Sequence, residues 1–132
     1  MNINLKRQGY YREMPHAEET DPSIKDFIGA KIDNETRKRV CEYLNSGYVL
    51  VACYGTALDV INPDRGMAGC PSMMTDGVWV WPGDLAYYVC EYSLGLNAEF
   101  IEFMRKNHWK VSRIEDEIDY LNLTIDGKKL IE

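Results

Sequence analysis

Cys70 lies in Gly69-Cys70-Pro71, a turn-like setting more accessible than Cys53 in an apolar run or Cys41 and Cys90 in helical stretches. A nucleophilic thiol needs a base beside it, and the chain has only two histidines, His16 and His108. Burial as a small hydrophobe is therefore the expectation for Cys70. His16 has Glu13, Glu18 and Glu19 nearby, a mixture that suits metal ligation or acid–base work. The stretch from Pro15 to Asp21 is polar and loop-like, however, which predicts a solvated or hydrogen-bonded imidazole. His108 reads as a helix-end residue. Asp76 and Asp84 invite reading as a carboxylate pair, but an extended strand between them would hold them more than ~20 Å apart. Turn formation by Asp76 and helix capping by Asp84 account for both. The four cysteines are separated by 12, 17 and 20 residues, with no Cys-x-x-Cys pair and no histidine at zinc spacing. Reduced thiols are expected, with no metal. Neither a P-loop nor Gly-x-Gly-x-x-Gly occurs, so no nucleotide cofactor of a standard kind is expected, and no catalytic residue stands out.

Charge points elsewhere. The 132 residues carry 15 Lys plus Arg against 21 Asp plus Glu, a net −6. Residues 41–96 hold one base, Arg65, against Glu42, Asp59, Asp64, Asp76, Asp84 and Glu91. The same segment holds Tyr43, Tyr48, Tyr54, Trp79, Trp81, Tyr87, Tyr88 and Tyr92. Tyr and Trp dominate interface hot spots, and acidic fields steer basic partners. Asp59, Asp64 and Glu91 are thus candidate steering charges, with Tyr54 and Tyr87 as candidate anchors of a protein contact. An acidic balance argues against binding a phosphate backbone. The longest apolar run, Tyr48 to Tyr54, is far short of the ~20 residues a membrane helix needs. Met1 to Tyr11 lacks the apolar core of a signal peptide, so a cytoplasmic protein is expected. The Asn122-Leu123-Thr124 sequon is then a chance match.

The elements that must position these residues follow from spacing. A composition of 45% hydrophobic and 27% charged residues is that of an ordinary globular domain. Asp21-Pro22 predicts a capped short helix through Ile24, Phe27 and Ile28. Asp33 or Asn34 caps a second helix with Val40, Tyr43 and Leu44 on one face, ended by Ser46-Gly47. The run 48–54 is apolar on both alternating faces, which predicts a central strand. Thr56 would cap a single turn before Asn62-Pro63-Asp64. Asp76-Gly77 predicts a type I′ hairpin joining strands near 67–74 and 78–81, with Trp79 and Trp81 on one face and Val78 and Val80 on the other. Asp84 and Asn97 begin two further helices, expected to pack antiparallel, with Phe100 and Met104 buried. In the tail, Glu115 to Asp119 suggests a short helix, and Asp126-Gly127 a second hairpin. The expectation is one α+β domain, residues 1–132, with an antiparallel sheet packed against about four helices.

Three stretches carry a resemblance: Gly9-Tyr10-Tyr11-Arg12-Glu13-Met14-Pro15-His16, the run from Thr75 through Asp76-Gly77-Val78-Trp79-Val80-Trp81-Pro82-Gly83-Asp84 to Val89, and Glu99 to Arg105. In that order they resemble a group of small uncharacterised bacterial proteins, which are similar to immunity-type partners of polymorphic toxins. The resemblance implies a non-enzymatic protein that neutralises a toxin domain by covering it, and it supplies no catalytic motif; the acidic charge makes that domain a basic one. Two other readings remain open. One is a small hydrolase or transferase built around residues 10–16 and 82–84, which requires His16 beside Asp84 or Cys70. The other is a structural homodimer.

Overall fold

A computed structural model describes residues 3–112 and 119–130. The strands are β1 (Asn4–Arg7), β2 (Tyr48–Val51), β3 (Ala57–Leu58), β4 (Met67–Gly69), β5 (Met73–Thr75), β6 (Trp79–Pro82), β7 (Thr124–Ile125) and β8 (Lys128–Lys129). The helices are α1 (Asn34–Asn45), α2 (Leu85–Tyr92) and α3 (Ala98–Lys106). Six strands form the main sheet in the order β2-β5-β6-β1-β7-β8, and β3 pairs with β4 in a separate ribbon. The α+β class holds, but the sheet is mixed, because β1 runs parallel to both β6 and β7.

Period-two alternation in β6 divides the core. Trp79 and Trp81 point towards the helices, and Val80 points to the opposite face with Leu5, Leu50, Leu123 and Ile125. On the helix side Phe100 stacks on Trp79 at 4.9 Å and lies 5.4 Å from Trp81, with the edge of Tyr43 at 6.3 Å. The Trp81 indole N–H donates to the Leu44 carbonyl at 3.1 Å, which satisfies its one polar atom in a dry setting. Val78 lies outside β6 and packs on the helix side, contrary to strict alternation with Val80.

Local signals set the helix ends. Asp33 caps α1 by accepting from Thr36 N at 2.8 Å, and Asn97 caps α3 by accepting from Glu99 N at 2.7 Å. The expected Asp21 cap is replaced: Ser23 caps a 3-10 turn, Ile24–Asp26, while Asp21 takes a bidentate hydrogen bond from Arg7 at 2.8 and 3.0 Å. The main helix partner of α2 is α1 rather than the expected α3.

Strand positions depart from expectation in informative ways. The apolar 48–54 run forms β2, an edge strand with Val49 and Val51 exposed, rather than a central one. The 67–74 stretch splits into β4 and β5, because Cys70-Pro71-Ser72 carries the chain from the ribbon to the main sheet. Residues 57–58 extend as β3 against β4 in place of a helical turn. Asp76 and Gly77 do join β5 to β6, but only Gly77 has positive φ, so the turn is not type I′. It is instead an Asx turn in which Asp76 Oδ1 accepts from Val78 N and Trp79 N at 2.9 and 2.7 Å. The β7–β8 turn has positive φ at both Asp126 and Gly127, as type I′ requires. The helix suggested for Glu115 to Asp119 falls almost wholly outside the described residues.

Candidate functional site

Asp59 is fully buried, so it is not a steering charge. Its Oδ1 accepts from Ile61 N and Asn62 N, both at 2.8 Å, and its Oδ2 from the Tyr87 and Tyr92 hydroxyls at 2.7 and 2.5 Å. Burial acts to raise this carboxyl, but the hydrogen bonds from Tyr92, Asn62, Tyr87 and Ile61 outweigh it and hold the group below the usual aspartate range. Tyr87 is consumed in the same contact, and its hydrogen bond to Asp59 pushes its hydroxyl up to about 12. Tyr88 adds a third attachment by accepting from Val60 N at 3.0 Å. Glu91 pairs with Arg65 at 2.6 Å, and Arg65 lies over the Tyr92 ring at 5.0 Å. The spacing of Tyr87, Tyr88 and Tyr92 puts three hydroxyls along one side of α2, which grips the segment between β3 and β4.

Two of the five predicted contact residues remain available, Asp64 and the wholly exposed Tyr54. An exposed apolar pair that sequence reading did not single out lies in the ribbon, one member between them in sequence and the other beyond. Leu58 and Met67 are cross-strand partners in the ribbon, 50% and 57% exposed. The regional acidity also turns inward. Asp59, Asp76 and Asp84 are all buried, which leaves Asp64 and Glu42 as the exposed acids of the segment outside the Arg65 pair.

A second cluster gathers around Asp84, which is 1% exposed. Asp84 precedes α2 in a helical backbone conformation, φ −88 and ψ 0, and makes no capping hydrogen bond, since a cap acceptor requires an extended residue. Neither carboxyl oxygen has a hydrogen-bond partner among the described residues. Burial pushes the group up to about 6, and His16 acts against that rise. The His16 Nε2 lies 3.6 Å from Cys53 Sγ. The Cys70 thiol donates to the Cys53 carbonyl at 2.9 Å and lies 3.3 Å from Ser72 Oγ, which accepts from Cys53 N at 3.0 Å. Close packing of two loops makes this possible. A Cβ on Gly83 would stand 2.4 Å from the Cys70 carbonyl oxygen, so glycine is required where the 82–84 loop passes under residues 70–72. Cys70 is exposed, contrary to the burial expected for it. Residues 16 and 84, which sequence spacing leaves unrelated, thus come within electrostatic reach. Among the described residues no three His, Cys, Asp or Glu side chains are grouped to hold a metal ion.

Cys41 on α1 and Cys90 on α2 form a disulfide, with Cα atoms 6.4 Å apart. This corrects the expectation of four reduced thiols. A 49-residue separation has no motif value, and only the packing of α1 against α2 brings the pair together. Disulfides belong to oxidising compartments, so this pair and the cytoplasmic expectation pull in opposite directions. Among the described residues no helix is long and apolar enough to cross a membrane. No protein family, curated protein or solved structure matches the chain.

Proposed function

We propose that the protein is a non-enzymatic binding protein whose contact surface is the β3–β4 ribbon with Tyr54. The observation that carries this reading is the internal fastening of the ribbon by Asp59. Four donors converge on one buried carboxylate, and this holds the segment rigid while Tyr54, Leu58, Asp64 and Met67 face outwards. A pre-ordered surface with aromatic and apolar side chains binds with little further loss of conformational freedom. The net charge of −6 favours a basic partner, and the immunity-type resemblance makes that partner a toxin domain acting in the cytoplasm. Steering comes from the whole chain's charge rather than from Asp59 and Glu91, which are engaged internally.

The test is co-expression with a toxin-like C-terminal domain of a large secreted protein, sought first in the gene next to this chain's own. Survival of the cells and a stable complex on sizing are the expected results, with association slowed by added salt. Unimpeded toxicity together with no complex would refute the reading. A self-associated dimer in the same sizing run, with no partner bound, would instead support the structural homodimer.

A second reading has a specific observation in its favour. His16, Cys53 and the buried Asp84 lie together near residues 10–16 and 82–84, as a small hydrolase or transferase would need. Acyl transfer at this site would appear as p-nitrophenol released from p-nitrophenyl acetate with acetylation of Cys53. Absence of both the acyl adduct and p-nitrophenol release above the C53S background excludes that chemistry.

A further inference from the structure

The two free cysteines meet from different directions. Cys53 ends the segment after β2, and Cys70 follows β4, so they bracket the ribbon between them. Three contacts join this place: Cys70 Sγ to the Cys53 carbonyl at 2.9 Å, Ser72 Oγ to Cys53 N at 3.0 Å, and Cys53 Sγ to His16 Nε2 at 3.6 Å. The Cys70 thiol therefore lies directly against the Cys53 residue, with Ser72 holding the Cys53 backbone beside it. Cys53 is half-buried and Cys70 exposed, so a small molecule in solvent reaches the pair. The buried Asp84, which packs against Gly69 next to Cys70, has a carboxyl with no hydrogen-bond partner among the described residues, a second, independent sign of a built site.

We propose that Cys53 and Cys70 form a thiol–disulfide exchange site for low-molecular-weight disulfides, with Cys53 attacking and Cys70 resolving. His16 Nε2 takes the Cys53 proton, and the thiolate attacks one sulfur of the external disulfide. A Cys53–sulfur bond forms, the external sulfur–sulfur bond breaks, and the departing thiolate recovers the proton from His16 as a free thiol. Cys70, its proton lost to solvent, then attacks Cys53 Sγ and expels the second external thiol. The pair is oxidised by two electrons to a Cys53–Cys70 disulfide, and the external disulfide is reduced to two thiols. His16 is the proton-accepting residue of the first step.

Purified protein with its Cys41–Cys90 bond intact is mixed with glutathione disulfide and followed by intact mass and by peptide mapping after alkylation. The expected product of the wild type has lost two hydrogens, carries no glutathione and yields a linked 53–70 peptide. C70S accumulates one glutathione on Cys53. H16Q slows the first step about tenfold at neutral pH, and the gap closes near pH ~10, where a thiol ionises without help. Circular dichroism of each variant separates loss of chemistry from loss of fold. Persistent glutathione on the wild type, or a linked peptide joining Cys53 or Cys70 to Cys41 or Cys90, would overturn the proposal. So would unchanged kinetics in folded H16Q. None of these measurements involves a protein partner, so their failure is distinct from failure of the binding reading.

Discussion

The Tyr43 hydroxyl donates to the Asp76 carboxylate at 2.6 Å and so fastens the last turn of α1 to the turn between β5 and β6. The two groups are 33 residues apart, and both are buried. Burial pushes the Asp76 carboxyl above its usual range, while hydrogen bonds from Trp79 N, Tyr43 and Val78 N act against the rise. Tyr43→Phe removes a donor from an acceptor that water cannot reach, at a cost of about 1–3 kcal/mol. Urea unfolding monitored by tryptophan fluorescence measures it. An unchanged midpoint would show that Asp76 finds another donor.

Asp59→Ala strands four donors at once. A loss of about 2–3 kcal/mol is expected, together with faster amide exchange at Ile61 and Asn62, whose N–H groups it holds. Because the folded carboxyl sits below its unfolded value, its contribution is complete above the ordinary aspartate range and fades as pH falls through the folded value. Asp59→Asn should therefore flatten the acid limb of a Tm-against-pH curve. An acid limb as steep as the wild type's would place the titrating group elsewhere.

Asp84 acts with the opposite sign. Its folded carboxyl, at about 6, binds a proton that the unfolded chain has already released between the ordinary aspartate range and that value. Stability on this account falls as pH rises across the window, and the deficit is complete above it. A rise of that size corresponds to at most about 3 kcal/mol. Asp84→Asn should raise Tm at neutral pH and change it little at pH ~4, near the unfolded aspartate value. Equal changes at both pH values would contradict the buried, partnerless carboxylate.

The Cys41–Cys90 bond closes a long loop between α1 and α2. Reduction, or C90S, should cost about 2–4 kcal/mol, read as a lower Tm. Identical melting with and without reductant would mean that the loop is already restrained by the α1–α2 packing.

Tyr54→Ala, Leu58→Ser and Met67→Ser remove exposed side chains, and each should shift folding stability by no more than about 0.5 kcal/mol. Their effect belongs to the partner: one of the three should weaken binding by about tenfold or more. Calorimetric titration against the partner decides, and full affinity in the triple variant would move the contact surface away from the ribbon.

Sequence reading succeeds where one residue's chemistry decides the local geometry. Asp33 and Asn97 cap their helices, Asp126-Gly127 turns its hairpin, and Trp79 and Trp81 share a face across Val80. It fails where tertiary pairing decides. Apolar alternation in 48–51 cannot tell an edge strand from a central one, because the difference lies in whether another strand arrives. The charge count of residues 41–96 is correct as arithmetic, but it carries no information about which carboxylates turn inward to meet tyrosines 28 or 33 residues away. The 82–84 loop and residues 70–72 meet only because distant loops cross at Gly83, and no spacing rule connects them.

The place of β1 in the sheet sets the order in which the chain can finish folding. Made first of the strands, it lies between β6 and β7, the first of which starts at Trp79 and the second at Thr124. During synthesis it has no sheet neighbour until β6 has left the ribosome, and only one until β7 has. Contacts so distant along the chain slow folding, because the intervening loop must be ordered before pairing repays it. Until β6 emerges, the nascent chain therefore carries an unpaired strand, apolar at Leu5, and shielding it from other nascent chains falls to chaperones or to the speed of translation.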